Sequence, residues 1–421
     1  MKKKHGTHIK LLNLSIRITT LACRFLFIFF LAKLLTPSEV GLYGLVTATV
    51  AYSLYFVGLD FYTYTTRELA GYNRERWGGL LKNQIILSLG LYCIVLPALT
   101  LVFATGMLPW ELAKWFFLLI IMEHICQELT RLFVAVSEQL AASIVLFLRQ
   151  GTWAVIIVAL MLYEANFRNL EAVFGAWVLA CLIAVVFSIR KLRVMNVGGW
   201  REKIDKAWIW RGVKVATPLL IGTLAIRGIF TVDRYWIQFL EGLEVVGAYV
   251  LFIGVANTLM VFLDAAVFSF AYPAMIVAYQ NNEPTEYRKK MREMLVLTLM
   301  FSIVFAVICM LLFPHLLEWL GKDVYLQNYS LFYWVLLATI LNALGMIPHY
   351  AVYSQKCDRS IIQSHLAALP IFVLVTTIAS NWNPLLAVPI GLCASQIFII
   401  GWKLQAYLQC TPKPFLGIAK T

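Results

Sequence analysis

Charge is scarce in this chain: 14% of its 421 residues are charged and 61% are hydrophobic. Its mean hydropathy is +0.78, whereas ordinary soluble domains carry roughly 45–50% apolar and about 25% charged residues. A polar stretch large enough to fold in water is also missing, because apolar runs of about 20 residues, the length that crosses a hydrocarbon core, recur from one end to the other. These shortages exclude a soluble globular protein and point to an all-α integral membrane protein. Paired cysteines are lacking as well. Cys23, Cys93, Cys126, Cys181, Cys309, Cys357, Cys393 and Cys410 are scattered singly, which argues for packing roles and against disulfides or a zinc site. No Gly-x-x-x-x-Gly-Lys loop occurs, so the sequence offers no nucleotide-phosphate cradle of that kind. Neither a metal nor another cofactor is expected.

What the chain does contain is twelve apolar windows, which predict helices near residues 11–35, 40–60, 80–105, 113–132, 142–163, 170–189, 214–240, 245–272, 294–319, 328–354, 360–380 and 384–408. The opening MKKKHGTHIKLLNLSIRITTLAC has the basic start and the cysteine of a lipoprotein signal. Arg17 interrupts it, however, Thr20 and Leu21 fit poorly before a lipidated cysteine, and the apolar run continues to Leu35; an uncleaved first span is expected. Even-numbered connections and the termini hold Lys2, Lys3, Lys4, Lys10, Arg67, Arg74, Arg76, Lys82, Arg131, the run from Arg190 to Lys214, the Arg288 to Arg292 cluster, Lys356, Arg359, Lys403, Lys413 and Lys420. Odd-numbered connections hold only Lys33, Lys114, Arg168, Arg234 and Lys322. This asymmetry predicts cytoplasmic termini. It also accounts for the net charge of +13 through orientation and attraction to anionic membrane lipid, with no nucleic acid required.

The longest connection, Arg190 to Arg211, contains GGWREKIDKAWIW, in which Trp200, Trp208 and Trp210 alternate with charges. It predicts an amphipathic helix over 196–212, lying at the cytoplasmic interface between a six-helix bundle at 1–195 and another at 213–421. A short internal repeat supports the division. Val40-Gly41-Leu42-Tyr43 aligns with Val246-Gly247-Ala248-Tyr249 at an offset of 206, each copy joining the first and second span of its half, as in parallel transporter repeats.

The stretches FLFIFFLAKLLTPSEVGLYGL, RLFVAVSEQLAAS, TPLLIGTLAIRGIFTVDRYWIQFLEGLEVVGAYVLF and FAYPAMIVAYQ resemble the polysaccharide-type flippases of the multidrug, oligosaccharidyl-lipid and polysaccharide (MOP) exporter superfamily. The resemblance covers nearly the whole chain, and its strongest part runs from Asp233 to Tyr249. It implies two six-helix bundles around a central cavity in a bacterial inner membrane. It implies, too, movement of polyprenyl-diphosphate-linked oligosaccharide between leaflets for O-antigen, capsule or exopolysaccharide assembly, beside polymerase and chain-length partners.

Within such a cavity the intramembrane arginines become candidate ligands. Arg17 and Arg24 are seven residues apart, about 10 Å along a helix and within roughly 20° of one face. Arg17 either faces the cavity or snorkels to the interface; Arg24, near mid-span, either faces the cavity or is in a buried ion pair. Arg227 is on the seventh span, the repeat partner of the first, and Arg149 on the fifth either binds substrate or partners a carboxylate. Guanidinium groups grip diphosphate oxygens bidentately and stay charged. Glu123, Glu128, Asp233, Asp264 and Asp60 are candidates for coupling to H+ or Na+. Two have duller readings: Glu128 can pair with Arg131 three residues on, and Asp233 can be a solvated residue beside Arg234. Tyr52, Tyr55, Tyr62 and Tyr64 read as sugar-stacking groups or an interfacial belt, and Pro218, Pro273, Pro348 and Pro370 as kinks.

Other classes fit less well. A polymerase or glycosyltransferase needs a sizeable outward loop, and the outward connections here are short and contain no Asp-x-Asp. A multidrug or small-molecule exporter of the same superfamily, or a scaffold, leaves four intramembrane arginines without a task.

Overall fold

The computed structural model describes residues 2–417, with the side chains in that range except those of residues 2–11, 70 and 219. Among the charges used for orientation, Lys420 lies outside the described residues, as do the side chains of Lys2, Lys3, Lys4 and Lys10. The described residues are almost all helical and contain no strand. They form two compact helical units, Met1–Leu220 and Ile221–Thr421.

The first unit holds α1 (Lys2–Leu34), α2 (Pro37–Gly58), α3 (Arg74–Ala104), α4 (Ala113–Ala135), α5 (Gln139–Tyr163) and α6 (Leu170–Val194). Then α7 (Lys206–Glu241) begins, with Pro218 inside it. The second unit continues with α8 (Leu243–Gln280), α9 (Pro284–Leu320), α10 (Tyr329–Ser354), α11 (Asp358–Ser380) and α12 (Pro384–Cys410). Ten of these helices are long and apolar enough to cross a membrane, and α7, taken across its break, makes eleven. The remaining expected span is α4. Its 23 residues reach about 35 Å at the helical rise, but Lys114, Glu123, Glu128 and Arg131 set it apart from its apolar neighbours.

Local chemistry fixes the repeated motifs. Before Val40, the Thr36 side chain accepts from the Glu39 N–H at 3.2 Å and Glu39 accepts from the Thr36 N–H at 2.9 Å, a reciprocal cap with Pro37 in the first turn. Before Val246, Gly242 takes φ +85°, a conformation that suits a residue without a β-carbon. Outer faces are apolar: Ile94 on α3 and Leu311 on α9 are 70% and 65% exposed. Contiguous surfaces of this kind match hydrocarbon and are a liability in water.

The helix expected over 196–212 is corrected. Residues 196–205 are not helical, and α7 starts only at Lys206. Instead, this backbone docks on the first turns of α3. The Gly78 N–H donates to the Gly198 carbonyl at 2.7 Å, and the Gly198 N–H donates to the Arg74 carbonyl at 3.1 Å. Lys82 Nζ donates to the Trp200 carbonyl at 3.2 Å, and the Asp205 N–H to Asn83 Oδ1 at 3.1 Å. Such close approach needs Gly78, where a β-carbon would stand 2.9 Å from the Trp200 ring. Trp208 is buried: its Nε1 donates to Glu68 at 3.2 Å and its ring packs against Phe61 and Tyr64.

Candidate functional site

In the first unit, two candidates face each other. Arg149 on α5 and Glu123 on α4 are both buried, with Arg149 Nε 3.3 Å from Glu123 Oε2. That contact is an ion pair without hydrogen-bond alignment, since Nε has no hydrogen-bond partner. The other carboxylate oxygen, Oε1, accepts from Trp177 Nε1 at 2.6 Å and from Cys181 Sγ at 3.6 Å. Trp153 donates to the Arg149 carbonyl at 2.8 Å and stacks on Trp177 with planes 6° apart. Of the two readings open for Arg149, the structure has the one in which it partners a carboxylate. Arg149 lies in a π-helical turn, Leu148–Thr152, whose extra residue widens the helix.

Glu128 likewise pairs with Arg131 at 2.7 Å, as the three-residue spacing allows, and also accepts from Gln84. The Arg131 guanidinium lies 3.5 Å from the centre of the Tyr62 ring. These groups line a cavity of about 300 Å³ with Tyr92 and His124, and the Tyr92 hydroxyl meets His124 Nδ1 at 2.6 Å. Asp60 is mostly buried in the turn after α2, where Leu59 and Asp60 both take positive φ.

Arg17 and Arg24 stand apart from these pairs. Both are exposed, and both meet α5: Arg17 Nε donates to Ser143 Oγ at 2.9 Å, and Arg24 Nη1 donates to Gln150 Oε1 at 3.4 Å. Neither has a salt bridge to a carboxylate among the described residues.

In the second unit, Asp233 is completely buried, which corrects its reading as a solvated residue. It accepts from the Tyr249 hydroxyl at 2.9 Å and from the Arg234 N–H at 2.7 Å, so the carboxylate ties the end of α7 to the repeat motif on α8. Asp264 is exposed at the start of a second π-helical turn, Asp264–Phe268. Arg227 is exposed on α7 and has no salt bridge among the described residues. Lys403, counted above with the cytoplasmic charges, is 3% exposed on α12. Its Nζ lies 3.2 Å from His365 Nε2 on α11, and the His349 ring of α10 stacks on His365 with planes 4° apart. His124, His349 and His365 escaped the sequence reading. A lone lysine five residues before the end of an apolar run was the one available signal for this cluster. Among the described residues, no group of His, Cys, Asp and Glu is arranged to hold a metal.

A family model described as "Polysaccharide biosynthesis protein" matches residues 11–278. No individual curated relative matches by sequence. Among solved structures, an inward-facing multidrug resistance MATE family transporter of the MOP superfamily superposes with a TM-score of 0.73 at 15% identity, over 95% of this chain and 98% of that one. A MATE transporter in the straight conformation gives 0.63 at 15% identity over 96% and 95% of the two chains. A variant of a Vibrio cholerae MATE transporter gives 0.54 at 12% over 96% of each. At these identities the likeness concerns the fold.

Proposed function

We propose that this member of the polysaccharide biosynthesis protein family, whose fold is like that of a MATE transporter of the MOP superfamily, is a transporter that flips polyprenyl-diphosphate-linked oligosaccharide across a bacterial inner membrane. The oligosaccharide units would feed O-antigen, capsule or exopolysaccharide assembly, with both termini of the chain in the cytoplasm. Alternating access would carry the glycan, and polymerase and chain-length proteins would receive it. One observation carries the choice of substrate. Arg24 and Arg227, on the first spans of the two halves, are exposed and have no salt bridge among the described residues, while Arg149 has Glu123. An unneutralised guanidinium at membrane depth is costly, and a diphosphate supplies the anionic oxygens that offset it.

The test is translocation by the purified full chain in vesicles. Losing one charge-assisted contact costs about 1.5–3 kcal/mol, so Arg24→Ala and Arg227→Ala should each slow translocation by roughly tenfold or more while the protein still inserts. Arg24→Lys should restore part of the rate, because an ammonium keeps charge but not the planar fork. Arg17→Ala should have a smaller effect. Normal transport by the double alanine variant would reject the headgroup role, and transport of cationic drugs in place of the lipid would favour the small-molecule exporter. Of the acidic candidates for H+ or Na+ coupling, Asp264 alone is exposed, and it is the one we assign to that role.

A further inference from the structure

Two cavities in the first unit share a wall. One, of about 300 Å³, lies among α3, α4 and the short helix Tyr62–Gly71. The other, of about 450 Å³, is bounded by the end of α6 and the linker that follows it. Leu192 and Trp200 line both. Trp200 is fixed in place, its Nε1 donating to the Val197 carbonyl at 2.9 Å and its own carbonyl accepting from Lys82 at 3.2 Å. The smaller cavity is walled mostly by apolar side chains, Leu69, Leu81, Leu129 and Leu132 among them. Its charged and ring groups already have partners: Arg131 meets Glu128 at 2.7 Å, Glu128 also accepts from Gln84, and the Tyr92 hydroxyl meets His124 Nδ1 at 2.6 Å. The other His124 nitrogen, Nε2, is buried and turned to Gly58 on α2, where an added β-carbon would stand 3.1 Å from it. Little is left to hold water, which settles in a cavity on about two to four polar partners. Hydrocarbon suits the space better, and an empty cavity would forfeit the contacts of its lining. Ile85 and Leu89, 49% and 54% exposed, border it and put its open side towards the acyl chains of the bilayer.

The larger cavity differs by a charge. Arg193, in the last turn of α6, lines it together with Asn196. Arg193 is exposed and has no salt bridge among the described residues, whereas Lys191 in the same turn has Glu138 at 3.0 Å. A tryptophan beside the end of a span marks the level of lipid headgroups. A cation at that level, next to an apolar slot open to the bilayer, matches an amphiphile with an anionic head. We propose that the two cavities together form a site for an anionic phospholipid, with its phosphate at Arg193 beside Trp200 and one acyl chain in the cavity between α3 and α4. The occupant is a resident membrane lipid and not the transported one: the headgroup arginine proposed for this half, Arg24, is on α1, which lines neither cavity.

The experiment is photolabelling of the purified full chain in phosphatidylcholine nanodiscs. The probe is phosphatidylglycerol with a diazirine near the end of one acyl chain, present at low mole fraction, and labelled residues are located by mass spectrometry. Leu311 on α9, 65% exposed, reports ordinary contact with bulk lipid. The expected result is labelling within residues 81–92 and 124–132 that falls as unlabelled phosphatidylglycerol replaces phosphatidylcholine, while labelling at Leu311 stays constant. Arg193→Ala should weaken labelling of the two stretches by roughly tenfold, the size of one charge-assisted contact. Ser88→Phe, which fills the cavity from α3, should abolish it, and Arg193→Ala decides the matter if Ser88→Phe does not fold. Labelling of the two stretches that ignores added phosphatidylglycerol, or that stays at the parental level in Arg193→Ala, would overturn the proposal. So would suppression by polyprenyl phosphate and not by phosphatidylglycerol, which would give the slot to an isoprenoid chain. None of these outcomes bears on the headgroup contacts of Arg24 and Arg227.

Discussion

Arg149 and Arg24 carry the same charge and meet opposite surroundings, and the difference is one carboxylate. Glu123 reaches Arg149 from α4, whereas the neighbour that α5 offers Arg24 is the neutral amide of Gln150. Removing one partner of a buried pair leaves the other uncompensated and costs about 3–5 kcal/mol. Glu123→Gln should therefore lower the unfolding temperature in detergent markedly, and Glu123→Gln with Arg149→Met should recover most of the loss. A single variant as stable as the parent would show that the pair contributes nothing. Part of this was legible in the sequence. The seven-residue spacing of Arg17 and Arg24 set both on one face, and they meet Ser143 and Gln150, themselves seven apart. The pairing of Glu128 with Arg131 followed from their spacing. Glu123 with Arg149, and Lys403 with His365, join different helices, and sequence gives depth along a helix but not which neighbour a side chain will meet.

Elements show the same limit in another form. Hydrophobic runs mark helices, but they do not reveal a π-helical turn, and Arg149 and Asp264 both sit in one. The extra residue shifts the angular register of everything after it, so a face assigned by strict 3.6-residue spacing drifts there. The linker misled for a related reason. Alternating tryptophans and charges have the pattern of an amphipathic helix, yet Gly198 and Gly199, the latter at φ +88°, let the backbone leave the helix and dock on α3. Gly78→Val should break this contact, because the new side chain would meet the Gly198 carbonyl and the Trp200 ring. Trypsin should then cut faster after Arg201 and Lys203. Gly90→Val in the same helix, where a β-carbon meets nothing within 4 Å, is the control and should cut at the parental rate; equal rates for both variants would mean that the linker is not held there. The repeat motif, by contrast, was legible: Val40-Gly41 and Val246-Gly247 are buried at the start of α2 and α8.

At the scale of the molecule, composition alone excluded a soluble protein, and the count of apolar windows came within one or two of the helices that qualify as spans. The shortfall is α4, on which Glu123 pairs with Arg149 and Glu128 with Arg131, together with the break in α7. Membership in the polysaccharide biosynthesis protein family and a MATE-like fold support the proposal of a transporter; its cargo is the central claim, argued from arginines without salt bridges among the described residues. That claim is tested most directly by deleting the gene and locating the polyprenyl-diphosphate oligosaccharide with a membrane-impermeant glycosidase on intact spheroplasts. Complete units protected on the cytoplasmic side, and released to the enzyme when the gene is restored, are the expected result. Complete units reaching the outer leaflet normally without the protein would contradict the account.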